Sequence, residues 1–222
     1  MTTFTVGLVA HESRRDLIRY ARTQADVVCV DDGTLGCEGN HVRTIRNALY
    51  EHRDRFQDSL GWVVIIEDDA ILCRDWRVRV NHALCNVPSA DVGIVSFYLG
   101  TGNPRYWQRG IKSAIREADA KRAPWIVSEH LLHGVGYALR VTDVPEILDH
   151  LDGLQLPIDE GITAWARENN VLVAYTWPSL VDHRDEPSVA VHKDGVVRGV
   201  RRAHRVGKPK RLSQDSVRLE YI

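Results

Sequence analysis

Trp62-Val63-Val64-Ile65-Ile66-Glu67-Asp68-Asp69-Ala70-Ile71-Leu72 is an apolar, β-branched run that stops abruptly at three consecutive carboxylates. Such a run reads as a buried strand whose C-terminal end delivers acid groups to a sheet edge. In open α/β sheets ligands bind at that edge, and acids crowded there repel one another unless a cation or a network of donors compensates them. Oxygen ligands suit Mg²⁺ or Mn²⁺, with a substrate phosphate completing the shell. The competing reading is a strand followed by a solvated acidic turn.

Outward from this strand the pattern alternates. Phe4 to Ala10 reads as a strand, Ser13 with Asp16 as a capping box for a helix through Leu17, Ile18 and Ala21, and Val27 to Val30 as a second strand ending in Asp31-Asp32-Gly33. This is a βαβ opening. A longer helix is expected from Asn40 to about Phe56, with Val42, Ile45, Leu49 and Phe56 on its apolar face. Downstream, helices are expected at Trp76 to Cys85, Val144 to Leu151 and Ile162 to Asn169, and strands at Val92 to Phe97, Trp125 to Ser128 and Val171 to Tyr175. Leu99 to Gly110 reads as a loop, Ile111 to Arg122 as either a helix or a lid, and Gly134 to Ala138 as a glycine-punctuated element. The fold class is therefore α/β: one domain with a Rossmann-like, mostly parallel sheet flanked by helices.

With 222 residues, 44% hydrophobic and 27% charged, the chain buries a core of single-domain size, and overall disorder is excluded. No apolar run approaches the ~20 residues of a membrane span, and Met1 to Ala10 lacks the basic flank of a signal peptide, so a cytoplasmic location is expected. Cys29, Cys37, Cys73 and Cys85 form no CxxC pair and read as reduced, mostly structural residues without zinc-knuckle spacing.

The net charge of -1 hides an asymmetry: residues 193–222 hold nine Lys/Arg against three acids, a balance of +6 that leaves -7 on residues 1–192. The expected organisation is a body of residues 1–192 and a basic C-terminal extension, 193–222. Gly195, Gly199, Gly207 and Pro209 argue for an extended segment more than for packed structure. Seven cations from Arg198 to Arg211 without one acid suggest a polyanionic surface nearby, a solvated or oligomer-contacting tail being the competing reading.

Ile65-Ile66-Glu67-Asp68-Asp69-Ala70, the upstream Gly36-Cys37-Glu38-Gly39-Asn40-His41, the downstream His133-Gly134-Val135-Gly136-Tyr137-Ala138-Leu139, and Trp177-Pro178-Ser179-Leu180-Val181-Asp182-His183 followed by Ser188 together resemble the ordered motifs of glycosyltransferase family twenty-five and its phage-encoded relatives. The resemblance spans residues 4 to about 190. It implies a GT-A fold and, from a family that includes lipooligosaccharide and collagen galactosyltransferases, a metal-dependent, inverting transfer from a nucleotide diphosphate sugar, with UDP-sugar as donor and Mn²⁺ or Mg²⁺ as cofactor. Glu67-Asp68-Asp69 would be the DxD-like element, with Asp69 the metal ligand, Glu67 turned toward ribose or metal water, and Asp68 beside the donor. His183 would be a second metal ligand, against the reading of a hydrogen-bonded loop histidine.

Asp31 and Asp32 are candidates for nucleoside contact or, alternatively, members of an Asp-Asp-Gly turn. A transfer of this kind needs a base for the acceptor hydroxyl. Asp159 is the candidate that the resemblance implies, with Glu160 as fallback; both precede a helix, where carboxylates also serve as caps. Asn40 and His41 are expected either at phosphate or sugar or as polar first-turn residues. Arg14 and Arg15 are expected at the diphosphate or as solvated helix charges, and His130 and His133 as structural or acceptor-side residues. Arg201, Arg202, Arg205 and Lys208 are candidates for acceptor binding. The leading expectation for the acceptor is a hydroxymethylated pyrimidine in bacteriophage DNA, flipped out of its stack. The alternatives are a lipooligosaccharide or protein acceptor, or a non-catalytic nucleotide- or nucleic-acid-binding protein.

Overall fold

In the computed structural model, which describes residues 2–57, 60–102, 104–184, 200–209 and 213–221, the acidic strand β3 (Trp62–Glu67) lies within an eight-stranded sheet. Its neighbours are β1 (Phe4–His11), parallel to it, and β7 (Gly136–Arg140), antiparallel to it. Val63, Val64, Ile65 and Ile66 are all fully buried, each contributing roughly 1.5–3 kcal/mol of apolar transfer free energy. That burial on both faces is why the run lacks alternation.

The sheet order is β10-β6-β8-β5-β7-β3-β1-β2, with β2 (Val27–Asp31), β5 (Val92–Ser96), β6 (Trp125–Ser128), β8 (Leu172–Thr176) and β10 (Ser216–Arg218) completing it. Four of its seven ladders are parallel. A separate ribbon pairs β4 (Ala70–Leu72) with β9 (Val181–His183). On one face pack α2 (Gly36–Phe56), α4 (Gln108–Lys121), α5 (Val144–Leu151) and α6 (Ile158–Glu168), around Ile45, Ile65, Ile111, Ile147 and Trp165. The other face carries α1 (Ile18–Gln24) and α3 (Trp76–Leu84), around Val64, Ile66, Trp76 and Phe97. The α/β architecture expected from the sequence is the one observed.

α2 approaches β1 closely because position 7 has no side chain: a Cβ on Gly7 would lie 2.7 Å from Thr44 Cγ2. The buried stripe of α2 is correspondingly polar as well as apolar, with Asn40, His41, Thr44 and His52 beside Ile45, Ala48 and Leu49. Val42 and Phe56, expected on the core face, are only half-buried.

Several expected elements are revised. The Ser13 capping box is absent; the His11 side chain accepts from Ser13 N at a 3-10 turn, Glu12–Arg14, and α1 starts only at Ile18. Ile111 to Lys121 belong to the helix α4, which opens at Gln108 and ends at a left-handed Arg122. α6 opens at Ile158, four residues early, so Asp159 and Glu160 lie inside its first turn. The described part of the C-terminal extension is built into the domain instead of running free. β10 extends the sheet beside β6, with Val217 and Leu219 buried, and Ala203 and Val206 form bridges to Gly100 and Ser179. The buried side chains of Val217 and Leu219 and the backbone bridges at Ala203 and Val206 dock the segment. No helix among the described residues is long and apolar enough to cross a membrane.

Candidate functional site

β1, β3, β5 and β8 run in one direction, and β7 runs against them. The carboxyl ends of β1 and β3 therefore meet the start of β7, where Ile66 faces Gly136. Glu67 ends β3, and the tight Asp68-Asp69 turn leads into β4. Pairing of β4 with β9 sets Ala70 opposite His183, and Arg184 N donates to Asp69 O at 2.8 Å. His183 thus arrives beside the acids although a long stretch of chain separates them: its Nε2 lies 3.6 Å from Asp69 Oδ2. One ligand atom each from Glu67, Asp69 and His183 lie within 4.8 Å of one another.

Arg14 holds this corner. Its Nη1 donates to Asp68 Oδ1 at 2.8 Å and to Asp69 Oδ2 at 2.6 Å, and His11 N donates to Asp68 Oδ2 at 2.8 Å. Asp68 and Asp69 are buried, and Asp69 Oδ1 has no hydrogen-bond partner among the described residues. Burial pushes the Asp69 carboxyl up to about 7, the charges of Glu67 and Asp68 adding to the effect against the pull of Arg14. Glu67 goes the other way. Burial raises it, but the His41 hydrogen bond and the charges of His41, His183 and Arg14 outweigh that and hold it below the ordinary range. His41, fully buried on α2, places Nε2 3.0 Å from Glu67 Oε1 and Nδ1 3.1 Å from the Tyr137 hydroxyl. Burial, chiefly, keeps His183 toward its neutral, lone-pair-bearing form. Gly134 leaves this floor open: a Cβ there would stand 3.3 Å from Glu67 Oε1.

Asp159 is half-buried in the first turn of α6 with its Oδ1 accepting from Glu160 N at 3.1 Å, while Glu160 is exposed. Burial, then the charge of Glu160, pushes Asp159 up to about 6, and Glu67 adds a smaller push from across the site. An acid held near neutrality at the rim of a polar site has the proton affinity of a general base.

The remaining candidates divide. Asp31 is buried and spends both oxygens on the turn before α2, accepting from Gly33 N at 3.0 Å and Leu35 N at 3.2 Å; Asp32 is exposed and accepts from Thr34 N at 3.1 Å. The Asp-Asp-Gly turn is thus what forms, with each Asp31 oxygen accepting one backbone N–H of it. Asn40 ties α2 to the sheet through Ala10 O and Cys29 O, so it is structural. His130 packs against Trp107, and His133 meets Tyr98 edge-on. Arg15 pairs with Glu12 at the surface.

In the basic segment, Arg202 donates its Nε to Asp182 Oδ2 at 2.8 Å, and Ala203 N donates to Asp182 Oδ1 at 2.7 Å. Arg205 grips both oxygens of Asp119 at 2.7 and 2.8 Å and stacks over Trp177. These two cations, candidates for acceptor binding, form ion pairs with acids of the body. Arg201 is half-buried, and Lys208 lines a cavity of about 310 Å³ with Arg79 and Trp125. Lys193, Arg198, Lys210, Arg211 and Ser188 lie outside the described residues.

The sequence reading undervalued Arg14 and His41 and missed Tyr137 and Asp182. The register of β1 against β3, which carries the segment after His11 to the acids, is what gives Arg14 its place. No protein-family model matches the chain, and no curated protein matches it significantly.

Proposed function

We propose that this protein is a metal-dependent glycosyltransferase that takes a sugar from a nucleotide diphosphate sugar, UDP-sugar being the donor to test first. The observation that carries the reading is the convergence of Glu67, Asp69 and His183 within 4.8 Å at a strand-end edge, with Asp69 Oδ1 buried and without a hydrogen-bond partner among the described residues. Two carboxylates and a neutral imidazole form a donor set suited to Mn²⁺, and a divalent cation offsets the burial and the carboxylate repulsion that together raise Asp69. When bound, the metal supplies Lewis-acid neutralisation of the departing diphosphate.

The chain's own groups do the rest. Arg14 keeps Asp68 and Asp69 oriented, and His41 fixes the Glu67 rotamer from below. Asp159 takes the proton from the acceptor hydroxyl as the sugar carbon is attacked, and inversion follows from that single displacement. Of the acceptors, a saccharide or protein hydroxyl is favoured over a DNA base, because the ion pairs of Arg202 and Arg205 leave those guanidiniums poorly placed to track a phosphate backbone. The test is mass spectrometry of oligosaccharide, peptide and hydroxymethylated DNA acceptors after incubation with a panel of nucleotide sugars and Mn²⁺. Metal-dependent mass gain on an acceptor, or hydrolysis of one donor, supports the reading. Inertness toward all donors, with no metal-dependent nucleotide binding, overturns it.

A further inference from the structure

Beside the Glu67, Asp69 and His183 cluster lies a second one of different chemistry. Cys37 and His41 are one helical turn apart on α2 and therefore share a face, and their ligand atoms lie within 4.8 Å of each other and of a Glu67 oxygen. We propose that Cys37, His41 and Glu67 form a thiolate-containing site for a borderline-soft divalent cation, Zn²⁺ in the first instance, adjoining the oxygen-rich site and sharing Glu67 with it. Sulfur, nitrogen and oxygen donors in a three-residue set with one position left open are a zinc combination, whereas Mn²⁺ and Mg²⁺ avoid the thiolate.

The partner of the other His41 ring nitrogen supports the assignment. Metal-bound histidines donate their other ring N–H to a fixed acceptor, and the Tyr137 hydroxyl stands 3.1 Å from His41 Nδ1, ready to accept it. With Nδ1 protonated, the Nε2 lone pair faces Glu67 Oε1 at 3.0 Å, and two lone-pair atoms that close in a buried site need a cation between them. With Nε2 protonated instead, the ring donates to Glu67 Oε1 directly, so either tautomer has its partners. Cys37 itself is half-buried among acids: burial first, then Glu67, Glu38, Asp159 and Asp69, disfavours its bare thiolate and by the same field favours a cation next to it. Binding breaks the Cys37 S–H bond, forms a metal–sulfur bond and passes one proton to solvent.

Co²⁺ is the probe, added to the reduced, metal-free full chain without any sugar nucleotide. A saturable near-ultraviolet thiolate-to-cobalt charge-transfer band is expected, reporting the Cys37 site alone even where Co²⁺ also fills the corner of Glu67, Asp69 and His183. Cys37→Ser removes the band, while Cys29→Ser, Cys73→Ser and Cys85→Ser keep it, and Zn²⁺ displaces it. Tyr137→Phe keeps the band but weakens Co²⁺ binding about 10- to 100-fold. No band in the wild-type chain, or a band that survives Cys37→Ser, overturns the site. Because the readout needs no donor or acceptor, its failure is separate from failure of the glycosyltransferase reading, which is judged by product mass, donor hydrolysis and nucleotide binding.

Discussion

His183 and Asp69 meet side by side, Nε2 3.6 Å from Oδ2, because the β4–β9 ribbon pairs Ala70 with His183. The ribbon joins the end of the acidic strand to the last motif before the basic segment, and it creates the three-ligand corner. Removing one ligand should therefore disable cation binding without unfolding the chain. For Asp69→Asn we expect Mn²⁺ affinity to fall by about 100-fold or more, taking the second-shell range as the lower bound. Thermal stability should stay level or rise, since a repelled, buried carboxylate is gone. Calorimetric titration and thermal unfolding of the same sample check both halves.

Arg14 is the resident counter-charge for Asp68 and Asp69, and its side chain is only 11% exposed. Arg14→Gln leaves two buried acids without their cation, at a cost of about 3 kcal/mol, or a fall of roughly 10 °C in Tm. Mn²⁺ takes over part of that role, so it should raise the Tm of Arg14→Gln more than that of the wild type at equal saturation. Equal shifts would separate Arg14 from the cation site.

Asp159 gives a pH dependence with a defined sign. Its folded-state value of about 6 lies above its ordinary 3.8, so between these limits the folded chain binds more protons than the unfolded one. The stability contributed by the protonated form is complete below about pH 4 and lost as pH rises through about 6. Asp159→Asn should remove this slope and gain about 1–2 kcal/mol at pH 7, a figure reduced for its partial exposure. In the transferase assay the same variant should keep donor binding and lose turnover, because a base acts only in the chemical step. Denaturant unfolding from pH 4 to 8 and single-turnover kinetics are the measurements.

Asp182 anchors the basic segment: it accepts from Arg202, Ala203 N and His183 N. Asp182→Ala should release the strap that residues 200–209 form across the sheet edge. Limited trypsin digestion should then cut at Arg201, Arg202 or Arg205 several-fold faster than in the wild type, while Asp119→Ala should affect chiefly Arg205. Unchanged cleavage would mean that the backbone bridges at Ala203 and Val206 hold the strap alone.

The buried strand Trp62–Glu67, the opening βαβ unit and the acids at the strand end were legible in the sequence because a doubly covered strand needs an unbroken apolar run and a change to carboxylates marks its exit. The helices α3 and α5 were legible for the same kind of reason, from their apolar periodicity. The strands β4, β9 and β10 were not: each has three residues, too few to show a period, and each exists only because a distant partner supplies its hydrogen bonds. The same limit governs the site. Glu67, Asp69 and His183 carry metal-binding chemistry as residue types, but only the β4–β9 register brings His183 to Asp69. The buried charge pairing of Arg14 and the placement of Cys37 and His41 against Glu67 depend likewise on parallel strands and on α2 crossing β1 at Gly7. Cys37 lacks zinc-knuckle spacing in the sequence, since its third partner comes from another element. The sequence by itself determined which chemistry the chain holds and at which strand end it emerges; tertiary structure decided which groups meet, because non-local pairing and burial set distances and proton affinities that no linear spacing encodes.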